Sequence, residues 1–229
     1  MRSNIKAALV ALGMGAAALS GHAFAMTTLT GTQVSYTFDE TTLGKFGTAS
    51  LVGDDLVFTP ATGGFLATGT TPATQAVNVT VTAKSGYLLS AFTLNENGGY
   101  TRPTSSDTVY LGGAFSALDI EGTTANKLST PIAPSAPLGV TGTGINGNWT
   151  SQSGLTLPGT GWGGADGLVQ SVSLTISNQL FAGGAGQIWK NQVGVAAIAT
   201  PVPEADTYAM LLAGLAVVGF MTRRASPAV

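Results

Sequence analysis

Apolar and hydroxyl residues alternate along much of the chain between Met26 and Val202. The segment Val34 to Phe38 places three apolar side chains on one face of an extended chain and two hydroxyls on the other, and Val77 to Thr82 repeats this pattern. No stretch between these limits keeps the apolar spacing of a helix over several turns. The pattern therefore predicts an all-β body made of half-buried strands.

A later segment has the clearest alternation. Leu168, Val172, Leu174 and Ile176 share one parity, with serines and threonines on the other, and the run from Gln192 to Ala199 is typical of a closing strand. Half-solvated strands joined by glycine-rich turns favour an antiparallel β-sandwich or jelly roll, which we expect for residues 26–200. A solenoid is the alternative, but it requires a fixed repeat that the sequence lacks.

Two connections follow from the turn residues. Leu88 to Leu94 is expected to pair back on Val77 to Thr82 as a hairpin, with a turn at Lys84 to Gly86, and Asn97-Gly98-Gly99 is expected to end that strand. The segment from Pro131 to Gly167 is rich in Gly, Pro, Ser and Thr, so it predicts either a long surface loop or a pair of irregular strands.

Composition removes several kinds of chemistry. The chain has no cysteine and one histidine, His22, so disulfides, thiol catalysis and histidine-dependent triads or zinc sites are excluded once the N-terminal segment is removed. We expect no cofactor and no bound metal. A calcium site is the alternative, because the pairs Asp39-Glu40, Asp54-Asp55 and Asp119/Glu121 offer oxygen ligands, although no EF-hand or RTX-type loop is present. Only 9% of residues are charged, against roughly 25% in an ordinary domain, and the net charge of −2 indicates no nucleic-acid partner.

The remaining route to catalysis is a pair of carboxylates, which can cleave a glycosidic bond. The spacing of the acidic residues selects no such pair, and we interpret them as solvated turn residues. The sequence therefore predicts a protein that is not an enzyme. A secreted glycan-active hydrolase is the alternative.

Aromatic side chains are the candidates for contact with sugars. Trp149 and Trp162 lie in stretches rich in Gly, Asn and Thr, where an exposed ring stacks on the apolar C–H face of a pyranose. Packing in the core is the alternative for both rings. Trp189 lies in a strand-like run and is expected in the core.

The N-terminal segment has the three parts of a secretory signal. Arg2 and Lys6 precede the 13-residue uncharged run from Ala7 to Leu19, and Ala23-Phe24-Ala25 follows. Small side chains at Ala23 and Ala25 fit the shallow pockets of signal peptidase, so we expect a signal peptide over 1–25 that is cleaved after Ala25. Thirteen apolar residues are too few for a membrane-spanning helix.

The C-terminal end, residues 201–229, has its own order of parts. Val202-Pro203-Glu204 precedes the apolar run from Tyr208 to Met221, and Arg223-Arg224 follows. A 14-residue helix covers roughly 21 Å of a hydrocarbon core of about 30 Å. We expect a short transmembrane helix over 208–221 that anchors the chain transiently in the inner membrane, with Arg223 and Arg224 on the cytoplasmic side.

This order of parts resembles the PEP-CTERM sorting signal of Gram-negative bacteria. The chain keeps Pro203 and Glu204 but has Ala205 where the family has a second proline. The resemblance implies that an exosortase cleaves the tail and that the body is exported across the inner membrane to the cell surface or the exopolysaccharide matrix. Some ice-binding proteins have a similar tail, but the Thr-x-Thr pairs of this chain follow no constant interval, so we interpret the tail as an address only.

Together these features predict an exported surface or matrix protein. Its expected partners are signal peptidase and exosortase during export and, in the matrix, exopolysaccharide. The body is expected to be structural or to interact with carbohydrate. A stably membrane-anchored surface protein is the remaining alternative.

Overall fold

The computed structural model describes residues 25–139, 145–202 and 205–224. The predicted signal peptide lies outside these ranges, apart from Ala25, and so do Ala23, Pro203 and Glu204. The described part contains one α-helix, α1 (Ala205–Arg224), and the following strands: β1 (Met26–Thr30), β2 (Val34–Asp39), β3 (Thr48–Val52), β4 (Asp55–Thr59), β5 (Leu66–Thr68), β6 (Ala73–Ala83), β7 (Tyr87–Arg102), β8 (Thr108–Asp119), β9 (Lys127–Pro131), β10 (Ile145–Thr156), β11 (Ser171–Gly183) and β12 (Gln187–Pro201).

The strands form two antiparallel sheets. The first sheet has the order β1-β2-β6-β11-β8-β9, and the second has the order β10-β7-β12-β4-β3, with β5 paired to β12. Buried apolar side chains from both sheets form one core cluster. The expected all-β, antiparallel, sandwich-like architecture is therefore confirmed.

Alternation along each strand determines which side chains form this core. Val172, Leu174 and Ile176 of β11 have no exposed surface, as their shared parity predicts. Leu168, which was assigned to the same row, is 39% exposed. That part of the prediction is wrong because β11 begins only at Ser171, so Leu168 lies in the preceding loop and not in the strand.

The expected hairpin between Val77 to Thr82 and Leu88 to Leu94 is also wrong. These segments belong to β6 and β7, which lie in different sheets, and the turn at Lys84 to Gly86 passes from one sheet to the other. Alternation shows which face of a strand is buried, but it does not show which strand is its neighbour.

The same strand contradicts a second expectation. Asn97-Gly98-Gly99 does not end β7, which continues to Arg102 and pairs with β10 and β12 over this stretch. β10 itself occupies twelve residues of the glycine-rich segment from Pro131 to Gly167, which was expected to be a long loop or a pair of irregular strands. Its twelve residues are in continuous register with β7, and β10 is an edge strand of the second sheet.

Candidate functional site

Trp149 and Trp162, the predicted sugar-stacking residues, are buried. Trp149 is 4% exposed and Trp162 is 5% exposed, and both belong to the core cluster. β10 directs Trp149 inward, and the loop after β10 folds Trp162 into the core. Trp162 also lines a depression of about 520 Å³, but with 5% of its surface exposed it presents no open ring face to a sugar. Both tryptophans pack in the core, which was the alternative to sugar stacking.

Trp189, which was expected in the core, lies instead on the outer face of the second sheet and is half-buried. In the register of β12 with β7 it stands opposite Gly99. A Cβ atom at Gly99 would overlap the Trp189 ring, so the ring lies directly across this part of β7. The glycine therefore allows the indole to lie against the strand with part of its surface in solvent.

Gly98, the residue before Gly99, likewise leaves room for a tryptophan ring, but on the inner face of the sheet. A Cβ atom at Gly98 would lie 2.5 Å from Cζ2 of Trp149 and would also overlap the carbonyl oxygen of Trp189. The Trp149 indole N–H donates a hydrogen bond to that carbonyl, with a distance of 3.2 Å from Nε1 to the oxygen. The Gly98-Gly99 pair thus separates an inner tryptophan from an outer one.

A row of amide side chains crosses the outer face next to Trp189. Gln152 Nε2 donates to Asn95 Oδ1 at 3.0 Å, and Asn97 Nδ2 donates to Gln192 Oε1 at 3.2 Å. We call these four residues the amide row; it spans β10, β7 and β12. It borders a trough of about 550 Å³, which Thr150 and Gly194 also line.

The ring and the amide row are close neighbours. Asn97 and Gly99 are two residues apart on β7, which corresponds to about 7 Å along a strand. On its other side, Trp189 borders a second depression of about 400 Å³ against the loop that contains Pro60 and Gly63. The outer face therefore combines one partly exposed aromatic surface with amides that both donate and accept hydrogen bonds.

Carboxylates near the other large depression have structural partners. Asp119 accepts hydrogen bonds from the backbone N–H groups of Glu121 at 3.0 Å, Gly122 at 3.2 Å and Gly163 at 3.1 Å. Glu121 Oε2 accepts from the backbone N–H of Gln170 at 2.8 Å. These hydrogen bonds stabilise the loops around a depression of about 520 Å³, so both carboxylates have a structural role in these loops.

The tail follows directly from the last strand. The backbone N–H of Val202 donates to the carbonyl of Gly86 at 2.8 Å, which fixes the end of β12. Helix α1 then begins at Ala205 and ends at Arg224, so it includes Arg223 and Arg224 and is longer than the predicted 208–221. Its large apolar side chains from Met210 to Met221 are 59 to 74% exposed.

The transmembrane part of the tail prediction is corrected. Within the described ranges, α1 included, no helix combines the length and the apolarity needed to cross a membrane.

At the other end of the body, the carbonyl of Ala25 accepts a hydrogen bond from the backbone N–H of Glu40 at 3.1 Å, and β1 begins at the next residue.

The comparison with known families identifies the tail. Residues 201–225 are a PEP-CTERM protein-sorting motif. The PEP-CTERM motif includes Val202, Pro203 and Glu204 as well as the arginine pair, which confirms the resemblance inferred from the order of these residues. It implies an exported protein that is directed to the cell surface and sorted by an exosortase. A comparison with curated proteins found no match.

Proposed function

We propose that the β body is a non-enzymatic carbohydrate-binding domain that the PEP-CTERM tail delivers to the cell surface or the extracellular matrix. The observation that carries this proposal is the Trp189 ring lying across Gly99 beside the amide row. An aromatic ring supplies an apolar platform for a pyranose face, and the amides supply paired donors and acceptors for its hydroxyls. Neutral exopolysaccharide is the ligand class that this combination fits.

The export route completes the proposal. Signal peptidase removes residues 1–25 at the inner membrane of a Gram-negative bacterium, with Ala23 and Ala25 in its recognition pockets. The exposed apolar side chains of α1 hold the chain at the membrane surface until the exosortase acts. The body is then released to bind exopolysaccharide.

The acidic residues at the trough support binding over hydrolysis. Asp55 and Glu96 are the carboxylate residues that line it. The Glu96 side chain has no exposed surface and is paired with Lys190, so Asp55 is the one lining carboxylate that faces solvent. Glycoside hydrolysis by the usual routes needs two carboxylates that flank the bond. We therefore propose a binding protein and no enzymatic activity.

Affinity electrophoresis or calorimetry of the full chain against neutral exopolysaccharide fractions tests this function. We expect binding that falls by about tenfold or more in Trp189→Ala, which corresponds to about 1.4 kcal/mol of lost contact. Gln152→Ala tests the amide row separately, because its exposed side chain can be shortened without opening the core.

Tyr110→Ala is the matched control. Tyr110 is an aromatic residue that is 55% exposed on β8, in the other sheet, and its removal should leave binding unchanged. Equal losses in Trp189→Ala and Tyr110→Ala, or no binding by the unaltered chain to any neutral glycan fraction, would contradict the proposal.

A further inference from the structure

A charged pair is fully enclosed between the two sheets. Lys190 of β12 and Glu96 of β7 have no exposed side-chain surface, and Nζ lies 2.5 Å from Oε2. The second carboxylate oxygen, Oε1, accepts a hydrogen bond from Asn178 Nδ2 at 2.6 Å. Since Asn178 lies on β11, one carboxylate bridges an amine of the second sheet and an amide of the first.

The surroundings of the amine are aromatic. Nζ of Lys190 lies 4.9 Å from the centre of the Trp149 ring and 5.6 Å from the centre of the Phe65 ring. Burial among these groups lowers the pKa of Lys190, and the attraction of Glu96 only partly opposes this effect. Burial thus makes the uncharged, nucleophilic form of the Lys190 amine easier to reach than it is in water, and a Glu96 oxygen lies in contact with this amine.

Two buried polar atoms in this region have no hydrogen-bond partner among the described residues. They are Oδ1 of Asn178 and Oγ of Ser151, and Ser151 stands opposite Glu96 in the pairing of β10 with β7. An unsatisfied buried polar atom costs stability and needs an explanation such as a chemical role. A buried ion pair also gives little net stability compared with apolar side chains of the same shape. The cluster is therefore poorly explained as a stabilising feature of the core.

We propose that Lys190 and Asn178 form an intramolecular amide bond, with Glu96 as the proton carrier. The three residues are the complete set of groups that this reaction needs: an amine nucleophile, a carboxamide and a carboxylate in contact with both nitrogens. The fold holds the three side chains together in a site that is closed to bulk solvent, so the reacting groups are already positioned and do not have to meet by diffusion.

The reaction balances without an oxidant or a co-reactant. Glu96 takes a proton from the Lys190 ammonium, and the lone pair of Nζ attacks Cγ of Asn178 while the carbonyl electrons move to Oδ1. Glu96 then gives its proton to Nδ2 and accepts one from the attacking nitrogen. The carbonyl re-forms, the bond from Cγ to Nδ2 breaks, and ammonia leaves. Glu96 ends as a neutral acid, so the product contains no charge in the core.

The product would link the two sheets covalently. The new bond joins β12 of the second sheet to β11 of the first across the core. The chain has no cysteine and so no disulfide for this purpose. An amide bond of this kind would hold the two sheets together in any redox environment.

Intact mass of the folded full chain tests the proposal. We expect the unaltered chain to weigh about 17 Da less than its processed sequence requires, which is the mass of the ammonia released when an amine displaces an amide nitrogen. Glu96→Gln and Lys190→Arg should show no deficit. Lys127→Arg changes a lysine on the exposed edge strand β9 and should keep the deficit. Asn178→Asp should lose about 18 Da, as water, by the same attack.

Fragmentation of peptides from a complete digest locates the bond. A linked peptide that joins Lys190 to Asn178 supports the proposal. A succinimide at Asn97-Gly98 or Asn146-Gly147 has the same mass deficit, and a deficit located there would overturn it. Full sequence mass in a wild-type chain with a cooperative thermal unfolding transition would also overturn it. This last measurement does not depend on any variant, so misfolding of Glu96→Gln leaves the test intact.

Discussion

Trp189 lies across Gly99 on the outer face of the second sheet, so closely that the glycine has no room for a methyl group. This contact determines how much of the indole reaches solvent and where it stands relative to the amide row. It also explains why two consecutive glycines occur inside a sixteen-residue strand, where glycine normally weakens the sheet. The glycines are required by the rings on either face.

Gly99→Ala should displace the Trp189 ring. The added methyl group overlaps the ring, so we expect an overpacking cost of about 1 to 3 kcal/mol in the free energy of unfolding, together with weaker glycan binding. Chemical denaturation and affinity electrophoresis measure the two effects. Gly154→Ala on β10 is the control, because its Cβ atom would meet its nearest neighbour at 4.0 Å. Equal stability of the two variants would contradict the contact.

Gly98→Ala should be more damaging than Gly99→Ala. Its Cβ atom would overlap a backbone carbonyl as well as the buried Trp149 ring, and neither group is free to move. We expect a loss at or above the upper end of the range of about 1 to 3 kcal/mol that is typical of overpacked cores. Thermal unfolding of Gly98→Ala and Gly99→Ala under one buffer condition gives the order. The reverse order would show that the inner ring adapts more easily than the outer one.

The sequence was sufficient for the fold class but not for the arrangement of the strands. Alternation identified the buried faces of β2, β6 and β11. Successive side chains of a strand point to opposite faces, so the apolar residues of a strand with one solvent-exposed face mark the face that is buried. Alternation could not assign β6 and β7 to different sheets, since the same pattern fits a hairpin and a sheet-to-sheet crossing.

The candidate site was predicted less well, for a related reason. Flanking composition suggested exposure for Trp149 and burial for Trp189, whereas the register of each strand places them the other way. The Gly98-Gly99 pair was a usable signal, because glycine within a strand indicates close approach of another group. Nothing in the local sequence of Glu96 and Lys190 indicates that they meet, since they are far apart in the chain and only the pairing of β7 with β12 joins them.

Acid should destabilise the body partly through Asp107. Hydrogen bonds from the backbone N–H of Ala185 at 2.8 Å and of Thr104 at 2.7 Å lower the pKa of this carboxyl in the folded chain. A lowered pKa means that the stabilisation is present above the unfolded value of about 3.9 and is lost as the pH falls through the folded value.

Asp107→Asn should therefore have a lower Tm than the unaltered chain at pH 7 and should lose less Tm between pH 7 and pH 3. Differential scanning calorimetry at both pH values measures this difference. Asp166→Asn, at an exposed turn residue, controls for the removal of one negative charge. An unchanged loss of Tm on acidification in Asp107→Asn would show that this carboxylate does not carry the acid sensitivity.

Processing of the tail is testable by mass as well. The PEP-CTERM motif at residues 201–225 implies cleavage by an exosortase, and we expect surface or medium protein that begins at Met26 and ends near Val202 or Pro203. A double change of Pro203→Ala and Glu204→Ala should leave Arg223 and Arg224 on the recovered chain, because it removes the residues that remain of the Pro-Glu-Pro core. Ala205→Pro restores the second proline and should raise the processed fraction, whereas Ser226→Ala, beyond the matched residues, should not change it. Recovery of the unaltered chain from the surface with both arginines in place would show that sorting occurs without cleavage near Pro203.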